Sequence, residues 1–253
     1  MRAVVFAGRN AKELLRDPIS YIFCLGFPLV MLAIMTVLNE NIPEEANMVI
    51  FQIDYLSSGI AVFGLTFVML FTCLQVAKDR SSAFLLRLYA SPMTAAEFIA
   101  GYILPILVIA VFQSAITYAV SVVIGAVTGY SFAADGLLLA MAVLLPADFL
   151  FIGLGLLFGT VFNEKAAPGL CSVIISLSAI LGGIWMDVGG LSGGLKQLCE
   201  ALPFYHIVEA ARNAVHGNTN GIAAHMLIVL VYTVVIFAVS LFVFAKKRQQ
   251  DLR

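Results

Sequence analysis

Charged residues are scarce in this chain of 253 residues: Asp, Glu, Lys and Arg make up 11%, whereas 62% of the residues are hydrophobic. Soluble proteins carry about 25% charged residues. A soluble globule of this size could not cover so much apolar surface, and a disordered chain has the opposite balance. The composition therefore predicts a polytopic membrane protein whose apolar surface faces lipid.

Other absences narrow the function. The sequence contains no G-x-x-x-x-G-K-[ST] phosphate-binding loop, so the chain is not expected to bind ATP itself. Its net charge of −1 provides no basic excess, and no nucleic-acid partner is expected. The three histidines, His206, His216 and His225, are far apart and lack metal-ligand spacing. We therefore expect neither a cofactor nor a metal in this chain.

Six apolar stretches are long enough to cross the hydrocarbon core as helices, which takes about 20 residues each. They cover residues 19–38, 55–77, 98–124, 137–161, 167–185 and 222–245. The sequence thus predicts an all-α fold with six transmembrane helices in a single transmembrane domain, 1–253. Twelve of the 14 Lys and Arg residues lie before span 1, after spans 2 and 4, or after span 6. The positive-inside rule then places both termini in the cytoplasm, at a plasma membrane such as the bacterial inner membrane.

Three segments outside the spans are also predicted to be structured. Residues 1–17 favour an amphipathic interfacial helix that ends at Pro18 and has Arg9, Lys12 and Arg16 on its charged side. Residues 81–90 favour a short cytoplasmic helix between spans 2 and 3. Residues 187–220 form an external insert. Its first half is predicted to be a flexible Gly-rich turn, and its second half, 204–215, to be helical.

Asp148 is the only acid well inside a predicted span. A charge at mid-membrane costs at least ~2.5–3.5 kcal/mol, so this side chain should face protein or water. It either lines a substrate path or is a protonated or hydrogen-bonded residue near the Pro146 kink. The first interpretation supports an alternative function, a secondary transporter or channel that uses Asp148.

Two glycine patterns also leave alternatives open. Gly155 and Gly159 form a small-xxx-small face, suited to helix contact within one subunit or at a dimer seam. Residues 190–194 fit the G-x-S-x-G and G-x-S-G patterns, the second of which occurs in rhomboid intramembrane proteases, with Ser192 as nucleophile. The polar residues that follow, such as Lys196 and Glu200, suit an aqueous loop, so the protease is the less favoured alternative.

Three stretches resemble the permease subunit of type-2 ATP-binding-cassette exporters. They are the sequence RNAKELLRDP at 9–18, the sequence LLRLYASP at 85–92, and a proline followed by Glu-Ala-x-Arg within 203–212. Glu97 and Gly101, which follow the second stretch, also fit the family. The chain departs from the family at 78–82, where KDRSS replaces the usual Glu and Gly-Thr pair.

The resemblance implies a non-catalytic half-transporter. Two permease chains, identical or paralogous, would associate in the lipid bilayer, and two separate ATPase subunits would bind ATP and magnesium. The helix at 81–90 would dock into a groove of the ATPase. Its coupling residues would be Arg80, Phe84, Leu85, Arg87 and Leu88. The external gate would comprise His206, Glu209 and Arg212. The expected activity is export of an amphiphilic substrate, a drug, peptide or lipid, as in multidrug efflux.

Overall fold

The computed structural model describes residues 2–43, 48–82 and 93–251, and within these residues it contains helices and their connections. The helices longer than five residues are α1 (Arg2–Leu15), α2 (Ile22–Asn41), α3 (Ile53–Ser81), α4 (Ala95–Thr128), α5 (Ala134–Val161), α6 (Ala167–Leu181), α7 (Gly193–Ala201), α8 (Pro203–Val215) and α9 (Ile222–Asp251). The first five residues of α2, Ile22–Gly26, form a π-helical turn. The predicted all-α fold is confirmed for this part of the chain.

Five helices, α2, α3, α4, α5 and α9, are long and apolar enough to cross a membrane. The apolar stretch predicted at 167–185 instead forms α6, which stops at Leu181 after 15 residues. A helix of that length is about 22 Å long, shorter than a hydrocarbon core of about 30 Å. Helix α6 stops because Gly182 and Gly183 follow, and Gly183 adopts a left-handed φ of 76°.

Helix α3 is the centre of the bundle and packs against α2, α4, α5, α6 and α8. Its contact with α5 is close because glycines face it. A Cβ atom at Gly155 would lie 2.5 Å from the Met69 carbonyl oxygen, and one at Gly159 would lie 2.6 Å from that of Cys73. The small-xxx-small face is therefore a packing seam between α3 and α5 of one chain.

Helix α4 has a clear signal at each end. Thr94 accepts a hydrogen bond from the Glu97 amide at 3.3 Å, and the Glu97 carboxylate accepts one from the Thr94 amide at 2.8 Å. This capping box fixes the start of α4 at Ala95. At the other end, Gly129 terminates α4 with a φ of 85°.

The segment 187–220 contains two helices rather than one. The predicted flexible Gly-rich turn is wrong beyond Ser192, since Gly193 opens α7 with a φ of 69°. Helix α8 covers the predicted helical half, and it is buried against α3, α5 and α9. We call the part of the bundle formed by α7, α8 and the first turn of α3 the α8 end. The opposite part, formed by α1, the last turn of α3 and the first turn of α4, is the α1 end.

Candidate functional site

One buried carboxylate joins three helices at the α1 end. Asp79, in the last turns of α3, is 2% exposed. It accepts two hydrogen bonds from the Arg9 guanidinium of α1, Nη1–Oδ2 at 2.8 Å and Nη2–Oδ1 at 3.0 Å. The Tyr102 hydroxyl of α4 donates to Asp79 Oδ2 at 2.7 Å. Arg9, Asp79 and Tyr102, which we call the Asp79 network, thus connect α1 to both helices that flank residues 83–92.

The α1 side of this network is itself braced. Arg9 lies 2.6 Å from Glu13 one turn further along α1. Asn10 is fully buried and donates its Nδ2 to the Gly101 carbonyl oxygen at 3.1 Å. Burial is the largest single influence on Arg9 and lowers its pKa, but the hydrogen bond to Asp79 and the negative charges of Asp79 and Glu13 together outweigh it, so the Arg9 pKa is raised. The guanidinium therefore remains charged, and its ion pair is retained.

Aromatic packing holds α1 in the same place. The Phe6 ring lies edge-on to Tyr102 and Phe98, with centroid distances of 5.0 Å and 5.7 Å. Gly101 leaves the space that the Phe6 ring fills. The predicted apolar side of α1 is only partly used: Leu14 is buried, whereas the remaining large members are exposed, namely Val4, Val5 and Leu15.

Arg80, predicted to contact an ATPase, faces the end of α5 instead of standing free. Its Nη1 donates to the carbonyl oxygens of Gly159 at 3.1 Å, of Thr160, and of Phe162 at 3.3 Å. The last carbonyls of a helix lack helical partners, and a positive charge suits that end of the helix dipole. Arg80 therefore ties α3 to α5. The other predicted coupling residues lie outside the described residues: Phe84, Leu85, Arg87 and Leu88.

Asp148 is deeply buried, with 1% of its surface exposed. Its Oδ1 has no hydrogen-bond partner among the described residues. Asp148 precedes Gly155 by seven residues, or two helical turns, and so lies on the side of α5 that faces α3. No Lys or Arg of the described chain forms an ion pair with Asp148 within 4 Å.

At the α8 end, Arg212 bridges three segments. Its side chain is 7% exposed and contacts Glu209 Oε1 at 3.1 Å. It also donates to the Gly183 carbonyl oxygen at 2.8 Å, just after α6, and to the Tyr55 carbonyl oxygen at 3.4 Å, in the first turn of α3. Two of the predicted gate residues, Glu209 and Arg212, are thus paired, and Arg212 holds α8 against α3 and α6.

A second charged contact lies beside Arg212. His216 Nε2 is 3.0 Å from Asp54 Oδ2, and its ring packs 4.7 Å from that of Tyr55. The hydrogen bond to Asp54 outweighs the opposing effect of burial and raises the pKa of His216. The first turn of α3 is therefore bonded to α8 through Tyr55 and Arg212, and to the residue just after α8 through Asp54 and His216.

The third predicted gate residue, His206, contacts α9 rather than Glu209 or Arg212. Its Nδ1 is 2.7 Å from His225 Nδ1, and its Nε2 is 2.8 Å from the Glu200 carbonyl oxygen. Because that carbonyl accepts, His206 Nε2 donates, and a neutral His206 then accepts at Nδ1 from His225. His206 and His225 are 19 residues apart in the sequence, and the fold brings their rings into contact.

The protease alternative would need a base for Ser192, and the histidine at the start of the last predicted span, His225, does not reach it. Ser192 is exposed, caps α7 without a side-chain hydrogen bond, and has no partner among the described residues. His225 is engaged with His206 instead. A nucleophilic serine needs a base within hydrogen-bond reach.

Sequence reasoning missed Asp79, which lies between Lys78 and Arg80 and looks like one more solvated charge. A signal was nevertheless present. Met69, Thr72, Val76 and Asp79 follow helical spacing along one buried stripe of α3. An acid that continues an apolar stripe predicts a buried partner of opposite charge.

Comparisons with known proteins agree with this architecture. The family model described as "ABC-2 type transporter" matches residues 3–216. The chain is also similar to a protein of Bacillus subtilis (strain 168) named "Putative transport permease YvfS", with 22% identity over 244 residues, which cover 95% of this chain and 94% of that protein. Subunits of this family are non-catalytic and pair with ABC ATPases, in accord with the absent phosphate-binding loop. The chain therefore belongs to the ABC-2 type transporter family, as a multi-pass membrane permease component.

Proposed function

We propose that this permease drives export of an amphiphilic substrate, a drug, peptide or lipid, out of the cytoplasm or the inner leaflet. Two permease chains, identical or paralogous, form the path, and two ATPase subunits supply the work. The α1 end faces the cytoplasm, with both termini. Support for this orientation comes from the 12 of 14 basic residues that cluster on one side of the predicted spans.

The sixth span is part of this proposal. Helix α6 is about 22 Å long, so it needs the following residues 182–185 to complete a crossing of about 30 Å. Buried helix α8 packs against α3, α5 and α9 beside this point. The α8 end then lies partly within the outer leaflet, and its contacts through Arg212 close the external side of the path.

The Asp79 network is the observation that carries the mechanism. The coupling helix, predicted at 81–90, lies in the chain between Asp79 in the last turns of α3 and Tyr102 in α4. An ATPase that moves this segment therefore moves two helices already joined through one carboxylate. Helix α1 is carried along through Arg9. A conformational change of the ATPase would thus be transmitted to α1, α3 and α4 together.

The decisive experiment replaces Leu85 and Leu88 by Asp in the permease co-reconstituted with its ATPase. The apolar anchors of the coupling helix would become charged, and charge in an apolar groove is strongly disfavoured. We expect ATP-dependent transport to fall at least tenfold, with normal membrane insertion. The matched control replaces Leu195 and Leu198, two exposed leucines at the same spacing in α7. Equal transport in both double variants would contradict the proposed docking.

A second candidate function rests on Asp148, whose buried Oδ1 is unpartnered among the described residues. In an ion-coupled secondary transporter or channel, Asp148→Asn abolishes transport, and an ion gradient suffices without ATPase. In the proposed exporter, transport by the wild type requires ATP and the ATPase and does not respond to an imposed proton or sodium gradient. Proteoliposomes with and without the ATPase separate the two functions.

A further inference from the structure

A cavity lies at the α1 end, between α1, the residues just after it, and the final turns of α3. Its volume is about 1080 Å³. Phe71, Leu74, Gln75 and Lys78 line it from α3, with the i, i+3, i+4, i+7 spacing of one helix face. A pocket of this size accommodates a drug-sized or larger ligand.

Gln75 is the unusual feature of the cavity wall. It is 8% exposed, yet neither its Nε2 nor its Oε1 has a hydrogen-bond partner among the described residues. A buried amide left unpaired costs about 1–3 kcal/mol, so such groups call for a ligand that restores both bonds. That ligand must offer an acceptor to Nε2 and a donor to Oε1.

The charges around the cavity favour an anionic ligand. The acids are already engaged: Glu13 lies near Arg9 and Lys78, and Glu164 accepts a hydrogen bond from Ser81. Asp17 accepts the amide of Ile19. By contrast, the cavity-lining cations Lys12 and Arg16 have no acidic partner within 4 Å among the residues described. Arg9, Lys12, Arg16 and Lys78 line the cavity together with three acids, Glu13, Asp17 and Glu164, so the formal charge of the lining is +1.

The cavity also lies at the level where a lipid headgroup meets its chains. Helix α1 leaves Val4, Val5 and Leu15 exposed, as an interfacial helix does when it lies against acyl chains. Gln75 precedes Lys78 by three residues, so it lies about 4.5 Å deeper along α3. A headgroup held by the basic rim would thus reach Gln75, with its acyl chains along Phe71 and Leu74.

We propose that this cavity, between α1 and the cavity-lining face of α3, binds the headgroup of an anionic glycerophospholipid that carries free hydroxyl groups. The phosphate is held by Lys12 and Arg16. A headgroup hydroxyl donates to Gln75 Oε1, and a headgroup oxygen accepts from Gln75 Nε2. This lipid site is separate from the proposed export activity, because it binds the lipid whether or not that lipid is a transported substrate.

The test measures binding of phosphatidylglycerol with a fluorescent acyl chain to the purified full chain in detergent. Gly8 lines the cavity, and a Cβ atom there meets open space, so Gly8→Phe introduces a bulky side chain at the cavity wall. We expect this variant to weaken binding at least tenfold. Gly169→Phe, at a helical glycine that is also open but outside the cavity lining, is the matched control and should bind as the wild type does.

Two further measurements define the chemistry. Gln75→Leu should weaken phosphatidylglycerol binding about tenfold, since two hydrogen bonds to a buried amide are lost. Phosphatidylcholine, which has no free hydroxyl and no net charge, should bind at least tenfold more weakly than phosphatidylglycerol. Equal binding of the two lipids would refute the proposed recognition.

Other outcomes would also overturn the site. Displacement of the lipid by inorganic phosphate would indicate a free anion as the ligand. Dissociation of a permease dimer by Gly8→Phe, with unchanged lipid binding, would indicate that a second copy fills the cavity. Gly8→Phe replaces a helical glycine by a residue with better helix propensity, so its thermal unfolding temperature should not fall below that of the wild type, which keeps the comparison valid.

Discussion

Replacing Arg9 by Met tests whether the Asp79 network stabilises the folded chain as a buried ion pair does, or contributes as little as an exposed surface pair. Asp79 is 2% exposed, and the substitution removes its two hydrogen bonds from the guanidinium. Breaking a buried pair from one side costs about 3–5 kcal/mol, because the remaining charge is left buried. The side chain of Arg9 is 35% exposed, so we expect the lower value, about 3 kcal/mol.

Thermal unfolding in detergent measures this loss. For a chain of this size, 1 kcal/mol shifts Tm by about 2–4 °C, so Arg9→Met should lower Tm by about 6–12 °C. The single tryptophan, Trp185, provides the fluorescence signal at the opposite end of the bundle, where it packs against Phe63. Lys12→Met is the control, since Lys12 is an exposed cation with no ion pair among the described residues.

A double-mutant cycle measures the interaction energy between Arg9 and Asp79 apart from their contacts with other residues. Asp79→Leu alone should also destabilise, but the Arg9→Met and Asp79→Leu double variant should cost about 2 kcal/mol less than the sum. Transport per ATP hydrolysed should stay low in the double variant, because α1 and α3 are no longer joined by charge. Additive losses, or an Arg9→Met variant that behaves like Lys12→Met, would refute the reasoning.

Three further perturbations probe the packing seam and the α8 end. Gly159→Val should destabilise by at least ~1–3 kcal/mol and lower Tm, because its Cβ would lie 2.6 Å from the Cys73 carbonyl oxygen. The pKa of His216 is raised in the folded state, so the folded protein binds this proton more tightly than the unfolded chain does. The protonated histidine therefore adds its full contribution to the free energy of unfolding below pH about 6.5. That contribution is lost as the pH rises through the raised pKa. A Tm profile between pH 5 and 9 should flatten in His216→Phe, and an unchanged profile would exclude the contact with Asp54. Arg212→Lys should cost about 1.5–3 kcal/mol, measured as a Tm decrease, because an ammonium cannot reach the same set of acceptors, while Lys196→Arg should be neutral.

Hydropathy predicted most of the fold because membrane helices must satisfy their backbone hydrogen bonds internally. Five of the predicted stretches accordingly coincide with long apolar helices. The end of α6 was harder to predict. Ile184 and Trp185 extend the apolar run, but the backbone has already turned at Gly183, which hydropathy does not register.

The candidate site was less predictable, because its contacts join residues distant in sequence. Arg9 and Asp79 are 70 residues apart, and Arg212 and Tyr55 are 157 apart. A local pattern can mark a residue as charged or apolar, but it cannot select its partner. Asp148 was identifiable since an acid within an apolar run is conspicuous, whereas Asp79 was hidden between two bases.

The distribution of prolines suggests which helix transmits movement between the two ends. Helices α4 and α5 contain Pro105 and Pro146, where a missing backbone donor permits a kink. Helix α3 has 29 residues and no proline. From Asp54 to Asp79 it spans about 38 Å, and each of these two carboxylates anchors it through a hydrogen bond to another segment. An unbroken helix attached at both ends shifts as one body, while its neighbours bend at their prolines. A displacement applied next to Asp79 must therefore either move the first turn of α3 or break the contacts of Asp54 and Tyr55 with α8 and His216.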